Sequence, residues 1–199
     1  KSTKAHKPTG PVLSDDVYSQ AKLECEKLFE KHNGVVARFS NLFGIGMSTE
    51  NVVSTIIDQV LNTNEVKVWN DAPIRDFLWI DDAADALVEM ALGNADGIYN
   101  VASDQRISKL DFGIKIASEF SLNKKLINSV SINSRNDLVD RPSEMSLSNA
   151  KLKNENIFIK SIDEQIKELK IQFDNLVLKP DLKKVIPYGR QNISDEDIK

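Results

Sequence analysis

An α/β fold is predicted by three features of the sequence: short apolar runs alternate with amphipathic stretches, capping residues precede those stretches, and composition is that of an ordinary core-forming chain. Ser14-Asp15-Asp16 supplies an N-cap and acids for a first turn. The helix it opens is expected to run to about His32, where Asn33-Gly34 stops it. A short buried strand follows at Val35 to Phe39, which puts Arg38 and Asn41 at a strand's carboxyl end, where open α/β sheets bind ligands. A helix from about Thr49 to Leu61 comes next, then strands near Val66 to Trp69 and Phe77 to Ile80. Asp81 or Asp82 is expected to cap a helix with apolar positions Ala84, Leu87, Val88 and Ala91, before a strand at Ile98 to Val101. Ser108-Lys109-Leu110-Asp111 and Ser161-Ile162-Asp163-Glu164 are capping-box patterns that open helices over 109 to 120 and 162 to 171.

With 41% hydrophobic and 28% charged residues, the 199-residue chain can bury a substantial core. Its 26 basic and 30 acidic residues are interspersed, for a net charge of −4, which argues against nucleic acid or an anionic membrane as partner. No apolar run approaches the roughly 20 residues of a membrane helix, and no secretory leader opens the sequence, so a cytoplasmic protein is expected. Cys25 has no second cysteine to pair with. It falls on the stripe Val17, Ala21, Cys25, Leu28, Phe29 and reads as a small core residue. His6 and His32 lack ligand-spaced partners, so no metal site is expected.

Tyr18-Ser19-Gln20-Ala21-Lys22 carries the chemistry. Residues four apart share a helix face, and a cation beside a phenol favours the phenolate, so the pair can move a proton to or from a sugar hydroxyl. Further along stand Arg38-Phe39-Ser40-Asn41-Leu42-Phe43-Gly44, Arg75-Asp76-Phe77-Leu78-Trp79-Ile80-Asp81-Asp82, Tyr99-Asn100-Val101-Ala102 and Arg141-Pro142-Ser143-Glu144. Together and in this order they resemble the extended short-chain dehydrogenase/reductases that act on nucleotide sugars, the NAD-dependent epimerase/dehydratase family. The resemblance covers roughly residues 2 to 170.

It implies a partial Rossmann-like fold with a small C-terminal substrate-binding α/β subdomain, and NAD or NADP as cofactor. By it Tyr18 is the general acid/base, and Lys22 assists it and grips the nicotinamide ribose. Thr3, or its neighbour Ser2, hydrogen-bonds the reacting oxygen. Asn41 contacts sugar and phosphate, Arg75 and Arg141 flank the diphosphate of a nucleotide-sugar substrate, and Glu144 meets the nucleotide ribose. Read singly, Arg75-Asp76 is a surface ion pair and Arg141 a solvated loop charge; their common order favours the ligand reading for Arg75 and Asn41. Arg38 either orients the strand end or touches substrate. The dehydratase branch sets an Asp-Glu pair directly after the Thr, where this chain has Lys4-Ala5, which leaves 4-epimerisation or keto-sugar reduction or oxidation.

No Gly-x-x-Gly-x-x-Gly or Gly-x-Gly-x-x-Gly occurs, so the chain is expected to be the C-terminal part of such an enzyme over 1–173, without its pyrophosphate-holding loop. Residues 174–199 are expected to form a linker and a tail, Val185 to Ile198, that resembles the opening of a pyridoxal-phosphate-dependent sugar aminotransferase. The resulting expectation is a nucleotide-sugar epimerase or keto-reductase serving amino-sugar and glycan precursor synthesis. The alternatives are a non-catalytic nucleotide-sugar-binding module or an inactive piece of a bifunctional epimerase-aminotransferase. Enzymes of the resembled family commonly dimerise through the Tyr-Lys helix, so a homodimer is possible on this reading.

Overall fold

A computed structural model describes residues 5–8, 17–47, 54–56, 59, 66–69, 73–123, 125, 127–130 and 144–178. It is α/β. The elements are α1 (Val17–Lys31), β1 (Val36–Phe39), β2 (Asn41–Phe43), β3 (Val66–Trp69), β4 (Phe77–Trp79), α2 (Ile80–Leu92), β5 (Ile98–Val101), α3 (Lys109–Glu119), β6 (Ile127–Val130), α4 (Ala150–Asn154) and α5 (Ile162–Leu178). Strands pair as β1 with β5, β2 with β4 and β3 with β6. The β1–β5 and β3–β6 pairs are parallel, as crossover connections require.

The chain divides into two compact units. The first comprises Lys1–Leu42, Pro73–Ile107 and Arg141–Ile162; the second comprises Phe43–Ala72, Ser108–Asp140 and Asp163–Lys199. In the first unit Val36 pairs with Ile98 and Phe39 with Val101. Its core is Leu78, Ala83, Ala86, Met90, Tyr99, Val101, Leu152 and Ile157, with Ala37, Phe39 and Leu42 packed against it. α2 is amphipathic as expected, burying Ala83, Ala86 and Met90. Its start differs from expectation. The N-cap is Trp79, with no side-chain cap bond. Asp82 instead accepts hydrogen bonds from the Lys160 N–H (3.1 Å) and Nζ (2.9 Å). A buried carboxylate gains more from a cation than from one peptide N–H.

In the second unit Phe43 meets Phe112 edge-on with ring centroids 5.3 Å apart, and Phe120 meets Phe173 likewise at 5.5 Å. Gly113 lets α3 approach its neighbours: a Cβ there would stand 3.3 Å from Ile56 Cγ2. Ser108 caps α3 as the capping-box pattern predicted, accepting from the Asp111 N–H at 3.0 Å. α5 continues to Leu178, past residue 173, and residues 179–199 lie outside the described set. So do most of the expected 49–61 helix and the Ser14-Asp15-Asp16 cap. The sequence reading gives no strand for β2 or β6 and no helix for α4. No helix among the described residues is long and apolar enough to cross a membrane, and none of their His, Cys, Asp and Glu side chains group to hold a metal ion.

Candidate functional site

α1 runs as predicted to its stop, where Asn33 takes a left-handed conformation (φ 54°) and the Gly34 N–H returns to the Phe29 carbonyl at 2.7 Å. Its inward face is not the expected one. Val17 is 85% exposed and Phe29 58%, and Cys25 is exposed as well; Ser19, Leu23 and Glu26 turn inward instead. The reason is an ion pair. Arg38 on β1 donates Nε to Glu26 Oε1 (2.8 Å) and Nη2 to Glu26 Oε2 (2.6 Å), and its Nη1 reaches the Pro8 carbonyl at 3.0 Å. Glu26 holds the Arg38 guanidinium even more firmly charged than usual, against the opposing pull of burial. Arg38 thus braces the helix on the strand, as the orienting one of its two sequence readings expects.

That brace leaves Tyr18 on the open side, 72% exposed, with Lys22 Nζ 5.5 Å from its ring centroid. The two side chains share a face, as four-residue spacing dictates. Thr3 and Arg141 lie outside the described residues. The segment after Thr3 is held firmly. His6 bridges Leu147, its N–H donates to the Ser146 carbonyl (2.9 Å), and its carbonyl accepts from the Ser148 N–H (2.8 Å) and Asn100 Nδ2 (2.9 Å).

Asn41 begins β2, and its peptide N–H (3.1 Å) and Nδ2 (2.9 Å) both donate to the Asp76 carbonyl. Arg75, 4% exposed, bridges Ile107 in antiparallel fashion, with backbone bonds of 2.9 and 3.0 Å. Ile74 bridges Glu144. The Arg75 guanidinium turns back on its own neighbour, Nη1 donating to the Ile74 carbonyl at 2.9 Å. Glu144 is fully engaged. Oε1 accepts from the Ser146 N–H (2.9 Å) and Oγ (2.5 Å), and Oε2 accepts from Nε (3.0 Å) and Nη2 of Arg106. Burial would push its carboxyl up, but Ser146 and Arg106 outweigh that and hold it below the usual range. Four donors fill the four lone-pair positions of the carboxylate in this structure.

The main group that sequence reasoning missed is Asp76. It is fully buried, not part of a surface ion pair. Its Oδ1 accepts from the Ser103 N–H (3.0 Å) and Oγ (2.8 Å), while Oδ2 and the nearby Ser40 Oγ have no partner at hydrogen-bond distance. Asp104 takes φ 61°, and its peptide N–H favours the ionised form without reaching a hydrogen bond to Oδ2. Burial pushes that carboxyl up from 3.8 to about 6, with Ser103, Ser40 and the Asp104 N–H pulling it back only in part. The folded-state value is raised, so the ionised form costs stability above it, and the cost is relieved as pH falls toward the unfolded value. It amounts to about 3 kcal/mol at most. Denaturant titration from about pH 8 down to about pH 4 should find Asp76→Asn more stable than wild type at the alkaline end, with the gap closing in acid. A gap independent of pH would rule out charge as its source.

Against known proteins, a family model described as "RmlD substrate binding domain" matches residues 1–175. No curated protein matches the chain. Among solved structures, dTDP-glucose 4,6-dehydratase from Bacillus anthracis, in complex with NAD, aligns with TM-score 0.73 at 16% identity, over 88% of this chain and 57% of that one. dTDP-4-dehydrorhamnose reductase from the same organism, in complex with NADP, gives 0.73 at 19% identity, over 85% and 59%. UDP-glucose 4-epimerase from Thermotoga maritima, with UDP-glucose, gives 0.72 at 18% identity, over 89% and 59%. The chain thus spans less than three fifths of the length of each of these enzymes. At such identities the likeness shows the fold.

Proposed function

Because this chain belongs to the RmlD substrate binding domain family, we propose that it is the substrate-holding and acid/base part of a cytoplasmic NAD(P)-dependent nucleotide-sugar epimerase or keto-reductase. The supporting observation is the Tyr18-Lys22 pair on the open face of a helix whose braced strand leads directly into Asn41. Bound NAD(P) supplies a hydride acceptor or donor. Tyr18 exchanges the proton of the reacting sugar hydroxyl, Lys22 stands beside it as a cation, and the Asn41 amide orients the sugar or its phosphate. Lys4-Ala5, where the dehydratase branch carries two acids, favours epimerisation or reduction over loss of water. The solved relatives carry NAD, NADP and UDP-glucose in the same fold, which supports the ligand class.

Calorimetric titration of the 199-residue chain with UDP-glucose and dTDP-glucose tests this reading. Binding is expected, and Asn41→Ala should weaken it about tenfold, the worth of one hydrogen bond to a charged or strongly polar group. Binding of neither sugar nucleotide would refute the reading.

A further inference from the structure

We propose that Asp76 is a positioning residue, holding the Asn41 amide and the loop after β5 in one frame that serves nucleotide-sugar contact. The last clause rests on the functional reading above; the frame itself does not. The main-chain carbonyl of Asp76 accepts from the Asn41 peptide N–H and from Nδ2, so the Asn41 amide is held by its nitrogen and presents Oδ1 as the acceptor. The Asp76 carboxylate takes both donors of Ser103, the residue that begins the descent from β5 to the Ile107 bridge. Its sequence neighbour is Arg75. One residue thus ties the Asn41 amide to the loop after β5.

The identity of the side chain points the same way. Asparagine would fit the site, offering an oxygen to Ser103 and an amide donor toward the unpartnered Ser40 Oγ with no charge to bury. The chain keeps a carboxylate there, with one orphaned oxygen and a stability cost at neutral pH. Such a cost is typical of sites where function constrains the residue. The carboxylate's gain is stronger bonds to Ser103, because hydrogen bonds to an ionised acceptor are about twice as strong as neutral ones. The charged groups nearest to it along the chain are Arg75 and, beyond Ser103, Asp104, which is paired with Lys153 at 3.1 Å. Ser103 alone is hydrogen-bonded to the carboxyl; Ser40 and the Asp104 N–H lie beyond bonding geometry and favour the ionised form more weakly.

UDP-glucose suits the test because its diphosphate diester does not titrate near neutral pH. Asp76→Ala and Ser103→Ala should each weaken binding about tenfold, and Asp76→Asn should restore it to within about threefold. Wild-type affinity should fall as pH drops through about 6, and Asp76→Asn should lack that inflection. If Asp76→Ala does not fold, Ser103→Ala decides the binding arm. Wild-type affinity in the Ala variants, or an inflection that survives in Asp76→Asn, overturns the proposal. NMR separates the frame from the functional reading. The Ser103 N–H and the Asn41 side-chain amide should shift together with pH in wild type and stay still in Asp76→Asn, whether or not a sugar nucleotide binds. Amides indifferent to pH in wild type overturn the frame; absent binding with titrating amides refutes only the functional reading.

Discussion

Tyr18→Phe is expected to lower turnover of a nucleotide sugar by about 10²–10⁴-fold, the usual worth of a positioned general acid/base. The assay is made on a polypeptide that also carries a dinucleotide-binding glycine loop. Binding of UDP-glucose should change little, because Phe keeps the ring and the exposed residue contributes nothing to the core. Loss of kcat with KM preserved is the signature of a group acting in the transition state. Full activity in the variant would remove Tyr18 from the mechanism. Lys22→Met tests the partner's charge while keeping an unbranched side chain, and it should lower kcat in the same direction. Structure bears on the expectation through access. A phenol buried on α1 could not reach a hydroxyl, whereas the Arg38–Glu26 brace turns this one outward.

Local signals made the elements legible. Asn33-Gly34, the Ser108 capping box and the apolar run at Ile98–Val101 each determine backbone geometry within a few residues, and each sits where the sequence placed it. What failed was the inference from periodicity to facing. The apolar stripe of α1 pointed Cys25 and Phe29 inward, but facing depends on what another element offers, and β1 offered Arg38 to Glu26. Asp82 shows the same limit. As a cap candidate it was local, but its partner, Lys160, is 78 residues away. Asp76 stands inside a recognisable motif, but burial is a tertiary property, and an Arg-Asp dipeptide reads as a surface pair until Ser103 is brought onto the carboxylate. The local signal for it is its position between an arginine and a fully apolar strand, Phe77–Trp79, whose three residues are all buried.

Glu144→Ala is expected to destabilise the first unit by about 2–4 kcal/mol, which lowers the melting temperature by about 5–15 °C. The variant strands the Ser146 N–H and hydroxyl, which are fully buried, whereas half-exposed Arg106 regains water. Because the folded carboxyl sits below its ordinary range, the stabilisation is present at neutral pH and fades in acid, so wild type and variant should converge as pH falls. Persistence of the gap in acid would point to lost packing and not lost charge. The loss should also propagate, since the Ser146 carbonyl and the Leu147 bridge hold His6 and thereby the segment that follows Thr3. Comparing two ligands separates an anchor from a ribose contact. UDP-glucose carries a ribose 2′-hydroxyl that dTDP-glucose lacks, so a carboxylate gripping that hydroxyl would make Glu144→Gln lose more affinity for the first than for the second. With all four acceptor positions already taken by Ser146 and Arg106, the expected result is equal losses for the two. A selective loss for the ribonucleotide would mean that Arg106 releases Glu144 when ligand arrives.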